Sequence, residues 1–371
     1  MSPRPPERLL ERFVRLCEIP SITGDERAVQ DAIGAELGEL GIAFREDEAA
    51  GPARAGAGNL IATIPGREGA ERSIAFFAHV DTVPHAELIR VVDDAGVFRS
   101  AGETILGADN KAAVTVLMEL GAELAAKPGP AGVELIFTVA EEQGLRGAVA
   151  LESAELGSDF GFVLDHASAI GEIITASPTY KKLIAEFRGV EAHAGIRPEA
   201  GRSAIEAASA AIATMDLGRI DDETTTNVGT IAGGSAPNVV AGTCTIEAEA
   251  RSIDAGRSEE TIQRMVDSCT WAAGERGVDV DALVETFFRG YAIKPSSAPL
   301  TLARAAYERC GVEPVETTTG GGSDANALRA AGFDALLLAN GTEANHTPDE
   351  SVAASELIRM RELCSAIVAE A

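Results

Sequence analysis

Four short apolar runs in this chain each end in, or lead directly into, a side chain able to bind a cation. Ser73-Ile-Ala-Phe-Phe-Ala-His79 opens onto His79-Val-Asp81, and the run from Val133 to Ala140 opens onto Glu141-Glu142. Phe160-Gly-Phe-Val-Leu-Asp165 ends in a carboxylate, and Asp334-Ala-Leu-Leu-Leu-Ala339 runs out toward His346. Apolar runs of this length, bounded by polar residues, predict buried strands. Strands without polar alternation belong to parallel sheets covered on both faces. Ligands of open parallel sheets gather at the carboxyl ends of the strands, so these side chains are expected to converge on one crevice.

The flanking segments agree with an α/β architecture. Thr23-Gly-Asp-Glu26 has the spacing of a capping box and predicts a helix with Val29, Ile33, Leu37 and Leu40 on its apolar face. Strands are expected near Leu60–Ile64 and Ile74–Ala78, and a helix starting at Asp109 would turn Val114, Leu117 and Leu124 inward. The pattern changes near Ala176. From Thr179 to Ile293 the order is strand, helix, strand, strand, helix, strand, that of a ferredoxin-like split βαβ unit. Within it Cys244, Ile246, Ala248 and Ala250 alternate with polar residues, which predicts a sheet with one packed face and one open face. After Lys294-Pro295 the first pattern resumes, ending in an amphipathic helix with Leu357, Met360, Leu363 and Ile367 inward. The expected organisation is a catalytic metal-binding domain of residues 1–176 and 294–371, interrupted by an α+β domain of residues 177–293.

Composition restricts the partners. The 371 residues include 31 Lys and Arg against 58 Asp and Glu, a formal net charge of −27. Nucleic acid and anionic membrane surfaces both need clustered cations, so neither is an expected partner. The five cysteines are widely spaced and include no Cys-x-x-Cys pair, which fits a reducing, cytoplasmic setting. The N-terminus lacks the apolar core of a secretory signal. No run approaches the roughly 18 apolar residues of a membrane span.

The convergent side chains match a two-metal hydrolytic site. Two divalent ions about 3.5–4 Å apart activate one water and polarise the carbonyl it attacks. Such a site needs one bridging carboxylate and a His with a carboxylate on each side. Asp109 is the expected bridge, with His79 and Asp165 for one ion and Glu142 and His346 for the other. Three carboxylates against two divalent ions leave a net positive charge, which favours hydroxide over water at neutral pH. Asp81, two residues beyond His79, is expected to accept the second ring N–H and fix the tautomer. Glu141 is expected to be the general base that takes the water proton and returns it to the leaving amine. Singly, each has an ordinary reading: a lone His-x-Asp is mostly exposed polar residues, Asp109 suits a helix N-terminus, and Asp165 suits a loop cap. Their conjunction in a chain with five histidines carries the assignment. His85 and His166 are expected to be ordinary loop residues.

These residues resemble the superfamily of acetylornithine deacetylase, succinyl-diaminopimelate desuccinylase and carboxypeptidase G, and within it the peptidase T-like branch. The carrying motifs are His79-Val-Asp-Thr-Val-Pro84, Leu106-Gly-Ala-Asp-Asn-Lys111, Ala140-Glu-Glu-Gln143 and Gly321-Gly-Ser-Asp324. In the inserted segment they are Thr226-Asn-Val-Gly229, Ala236-Pro-Asn-Val-Val240 and Glu249-Ala-Arg-Ser252. The resemblance implies the same ligand roles, with zinc the usual metal and manganese or cobalt sometimes supporting activity. It implies that the inserted domain is a lid and dimerisation domain of a homodimer, and that His193 reaches across the dimer to the scissile carbonyl as an oxyanion donor. It further implies that Asn238 and Arg251 hold the substrate carboxylate, for which the Arg fork is suited. The ordinary alternatives are a satisfied strand-end histidine for His193 and a cross-strand ion pair for Arg251. Gly321, Gly322 and Ser323 are expected to present backbone N–H groups to an anionic end of the substrate. Ala112-Ala113 stands where many relatives carry glycine, which bears on local packing. The expected function is hydrolysis of short peptides by a tripeptidase-like aminopeptidase. The alternative with the same site is an N-acyl amino acid deacylase or a carboxypeptidase. A binding protein that has lost catalysis is a third reading, against which Glu141 stands.

Overall fold

The computed structural model describes residues 5–371. The chain divides into two compact units. The first comprises the chain up to Thr175 together with Ile293–Thr318 and Ser323–Ala371, and the second comprises Ala176–Ala292 with Thr319–Gly322.

The first unit is built on a mixed sheet. Its strands lie in the order Ala43–Glu46, Leu60–Ile64, Gly132–Thr138, Ser73–His79, Phe160–His166, Ala335–Ala339, Glu172–Ser177. The four adjoining strands from Gly132–Thr138 to Ala335–Ala339 run parallel, and the outer pairings are antiparallel. The parallel core follows from its sequence. From Ile74 to His79, from Val133 to Thr138 and from Ala335 to Ala339 every residue is buried, as strands covered on both faces require. The helix Ala108–Ala126 packs on Ser73–His79 and is flanked by helices Pro5–Cys17 and Ala354–Glu370. Among the described residues, no helix is long and apolar enough to cross a membrane.

Two local expectations give way to longer-range bonding. The helix Arg27–Glu39 buries Val29, Ile33 and Leu37 as its period predicts, but it begins at Glu26 with no side-chain cap. The Thr23 hydroxyl donates instead to Asp81 Oδ2 at 2.7 Å, and Glu26 accepts from the Gly24 and Gly56 amides. The capping box is therefore absent. The second departure is at Asp109, which with Asn110 is non-helical ahead of the regular helix, so its carboxylate projects from a turn.

In the second unit the strands lie in the order Gly218–Asp221, Thr224–Gly233, Thr243–Ser252, Thr179–Arg188, Asp279–Phe288, all antiparallel. The helices Ala204–Thr214 and Ala255–Arg276 cover one face, where Cys244, Ile246, Ala248 and Ala250 meet Leu183, Phe187, Ile262 and Cys269. Apart from the short strand Gly218–Asp221, this is the split βαβ order. The segment Thr319–Gly322 joins this unit rather than the one its sequence position suggests, because side chains of the insertion bind its carbonyls. Arg251 Nη1 donates to Gly320 O at 2.9 Å and Ser177 Oγ donates to Gly321 O at 2.9 Å.

Candidate metal centre

The four parallel strands are neighbours, and their carboxyl ends deliver four of the five expected ligands. His79 is the last residue of its strand, and its register partner is Thr138, three residues before Glu141. Ala140 takes a left-handed φ of 52°, which turns the backbone so that Glu141 and Glu142 both lie beside His79. Asp165 stands one residue before the end of Phe160–His166. His346 follows Ala335–Ala339 on a turn in which Ala344 and His346 are both left-handed, at φ 53° and 65°. Non-glycine residues adopt that region rarely and are found in it at functional turns. Asp109, on the turn before the long helix, completes the set.

Within the set, Asp109 is shared. His79 Nε2 lies 3.2 Å from Asp109 Oδ1 and 3.3 Å from Asp165 Oδ1. His346 Nε2 lies 3.1 Å from the other oxygen, Asp109 Oδ2, and 3.0 Å from Glu142 Oε1. The two triads His79–Asp109–Asp165 and Asp109–Glu142–His346 are each compact enough to hold one cation. Ligand atoms about 2.0–2.1 Å from one ion at tetrahedral angles stand about 3.3 Å apart, so the spacing within both triads fits a divalent ion. The donors, imidazole nitrogen and carboxylate oxygen, fit zinc, manganese and cobalt alike.

The supports around the triads differ in part from expectation. His79 Nδ1 donates to the backbone carbonyl of Asp81 at 3.0 Å, while the Asp81 carboxylate is 3.5 Å away. The chain leaves the strand at Val80, and the Asp81 carboxylate binds elsewhere. It accepts from the Glu141 amide at 3.0 Å and the Glu142 amide at 3.2 Å, besides the Thr23 hydroxyl. Asp81 thus orients His79 through its carbonyl and ties down the Glu141-Glu142 turn through its side chain. Asn110 Nδ2 donates to Asp165 Oδ1 at 3.0 Å and to Leu164 O at 2.7 Å. Asp324, buried, accepts from the Thr138 hydroxyl at 2.5 Å. Nothing in the apolar periodicity marks Asn110 or Asp324 as part of the site, although both lie inside quoted motifs. His166 ends its strand rather than lying in a loop, 3.5 Å from Glu172.

The remaining expected site residues lie in the second unit, except Ser323. His193 is exposed and forms an isolated bridge with Val239, next to Asn238, whose carbonyl accepts from the Ala194 amide at 2.9 Å. The Gly195 amide donates to His193 Nδ1 at 3.2 Å, which puts the proton of the neutral ring on Nε2. Arg251 is stacked over Tyr180 at 4.3 Å and is held by both oxygens of Glu249 on its own strand. The glycine turn is not a free nest of donors. The Gly321 amide donates to Thr319 Oγ1, and the Ser323 amide donates to Asn326 Oδ1 in the capping box of helix Asp324–Ala330. Gly322 is required by packing, since a Cβ there would collide with the Phe288 ring. In this structure the Gly321 and Ser323 amides, expected as anion donors, are both paired within the fold.

Electrostatics record how tightly like charges are packed. Burial pushes Asp165 up to about 7, with added repulsion from Asp109 and Asp324, and pushes Asp324 up to about 6. Burial, then Asp165, raises Glu141 well above the usual carboxylate range. Hydrogen bonds that the His346 ring donates to Asp109 and Glu142 raise it to about 10. Burial lowers His79, but Asp165, Asp109 and Asp81 outweigh it and hold the ring well above its usual value. Asp165, Asp324 and His346 all bind protons more tightly in the folded chain than in an unfolded one. Their stabilisation is full below the unfolded values and is lost as pH rises through the folded ones. Above about pH 6, where the carboxylates held low (Asp81, Asp109, Glu119) are ionised in both states, chelated protein should therefore melt at lower temperature as pH rises toward about 10, and saturating divalent ion should flatten that slope. Calorimetry across this range, with chelator and with ion, checks it; equal slopes would contradict it.

A parallel-centred sheet with an inserted α+β unit, carrying paired carboxylate–imidazole triads at its carboxyl edge, defines a metallohydrolase. Comparison with known proteins narrows this. Residues 175–276 match the model of a peptidase dimerisation domain, and residues 59–184 match that of peptidase family M28. The protein YqjE of Bacillus subtilis is 37% identical over 366 residues, covering 98% of both chains. The crystal structure of aminopeptidase PepT from Bacillus cereus is 37% identical with a TM-score of 0.89, and that of a tripeptidase from Staphylococcus aureus is 33% identical with a TM-score of 0.93. Each covers 98% of this chain and of its own. The chain belongs to the peptidase T-like branch of the metallopeptidase superfamily that includes acetylornithine deacetylase, succinyl-diaminopimelate desuccinylase and carboxypeptidase G.

Proposed function

We propose that this protein is a cytoplasmic two-metal aminopeptidase that removes the N-terminal residue from tripeptides. The observation that carries the reading is the split of the Asp109 carboxylate between two triads, one oxygen at His79 and the other at His346. In this reading His79, Asp109 and Asp165 hold one ion, and Asp109, Glu142 and His346 hold the other, with zinc the resident metal. When bound, the ions polarise the scissile carbonyl and lower the pKa of the attacking water.

The chain's own groups do the rest. Glu141 is half-buried beside the triads, and its raised proton affinity suits a group that takes a proton and gives it back. It accepts the proton of the attacking water as the carbon–oxygen bond forms. It then delivers that proton to the amine as the carbon–nitrogen bond breaks. Asp81 fixes the backbone of Glu141, so the base is held by the same residue whose carbonyl orients His79. His193, with its neutral-form proton on Nε2, is the proposed oxyanion donor, acting across a homodimer built on the inserted unit. Asn238 is the proposed contact to the substrate carboxylate. Arg251 is proposed to share that role, exchanging its bonds to Glu249 for bonds to the substrate carboxylate.

A substrate panel tests the reading. Di-, tri- and tetrapeptides, N-blocked peptides and N-acetyl and N-succinyl amino acids are incubated with zinc, manganese or cobalt, beside a chelated control. The expected result is turnover of tripeptides with a free N-terminus that stops on chelation. Turnover confined to acylated amino acids would replace the aminopeptidase by the deacylase reading.

A further inference from the structure

The carboxylate of Glu350 is buried, 1% exposed, and belongs to neither triad. Its Oε2 accepts from the Leu106 amide at 2.8 Å and the Gly107 amide at 3.0 Å, and its Oε1 accepts from the Asp109 amide at 2.9 Å. These three amides belong to the turn that carries Asp109. Gly107 is left-handed at φ 72°, and Asp109 and Asn110 are non-helical, so the turn lacks a repeating helical ladder. Unpaired N–H groups at a buried helix entrance need an acceptor, and one side chain from far along the chain provides it. Glu350 stands four residues after His346, on the same turn, where its own amide donates to Thr347 O at 3.1 Å. One carboxylate thus joins the carriers of two residues that face each other at 3.1 Å.

We propose that Glu350 is a positioning residue that fixes the Asp109 carboxylate between the two ion positions and thereby sets how tightly the ions are held. The proposal rests on the reading of Asp109 as the bridging ligand. A shift of the Asp109 turn moves one oxygen toward one triad and the other away from its partner, so loss of the Glu350 anchor alters coordination without removing a ligand. Glu350→Gln keeps the volume but offers a single acceptor oxygen. Either the Leu106 and Gly107 amides or the Asp109 amide must then face an NH₂ group.

The test uses the full chain, stripped of ions and titrated with cobalt, followed by calorimetry and visible absorption. For Glu350→Gln the expected result is weaker binding of at least one ion by roughly 10- to 100-fold, the usual cost of losing an outer support. A shifted cobalt absorption band and a fall in kcat larger than the rise in KM should accompany it. Glu350→Asp keeps the charge but is one methylene shorter, and it should recover part of the affinity. Wild-type affinities and an unchanged cobalt band, with only the melting temperature lowered, would make Glu350 a fold buttress and overturn the proposal. Should the glutamine variant not fold, the aspartate variant decides, and unchanged affinity and band there overturn the proposal equally. If the wild-type chain itself fails to take up two ions, the ligand reading of Asp109 falls, and the Glu350 proposal falls with it.

Discussion

Glu141→Gln is expected to lower peptide turnover by roughly 10²–10⁴-fold, the usual contribution of a positioned acid–base group, while two ions remain bound. The argument is geometric. Glu141 belongs to neither Asp109-centred triad, but it lies with His79 and Glu142 inside one compact group. Its backbone is fixed by the amide bond to Asp81 Oδ1, which glutamine retains. The substitution therefore removes the ability to carry a proton and leaves ligands and turn in place. Metal content and steady-state rates on the same preparation check both halves. Wild-type turnover in the variant would remove Glu141 from the base role. Lost activity together with a lost ion would make it a ligand.

The second large effect is expected at Asp109. Asp109→Asn keeps shape and size but replaces one of the two charged oxygens by an NH₂ group, which cannot ligate. Since Oδ1 serves the His79 triad and Oδ2 the His346 triad, no orientation of the amide satisfies both. At least one ion should bind more than about 100-fold more weakly, beyond the cost of losing an outer partner alone, with activity falling in proportion. The substitution also leaves His79 and His346 with less compensating charge, so both rings should titrate lower than in the wild type. Calorimetric ion titration and histidine NMR titration of the chelated variant check the two consequences. Two ions bound with wild-type affinity would show that Asp109 is not shared.

Much of this site was legible in the sequence because its geometry is that of a parallel sheet. Buried strands are written as uninterrupted apolar runs, and a parallel sheet puts all their carboxyl ends on one edge, so His79, Glu142, Asp165 and the approach to His346 could be placed without coordinates. The alternation of Cys244, Ile246, Ala248 and Ala250 likewise foretold which face of the second sheet is packed. What could not be read depends on pairings far apart in the chain. Thr23 has the right spacing for a helix cap, and only the fold shows that Asp81, 58 residues on, claims its hydroxyl. Gly321 and Ser323 look like free donors until Thr319 and Asn326 are seen to take their amides. Glu350 is 241 residues from the Asp109 amide it accepts, and no local period announces such a bond.

The position of strand Ala335–Ala339 has a bearing on how the enzyme is made. It lies between Phe160–His166 and Glu172–Ser177, which are separated in sequence by a short loop but not paired to each other in the sheet. A chain still emerging from the ribosome has that slot open until the whole inserted unit and the helix Ala298–Arg309 have been synthesised. His346 and Glu350 come later still. The set of ligands is therefore incomplete until the inserted unit, the strand that fills the slot and the turn carrying His346 have all been synthesised.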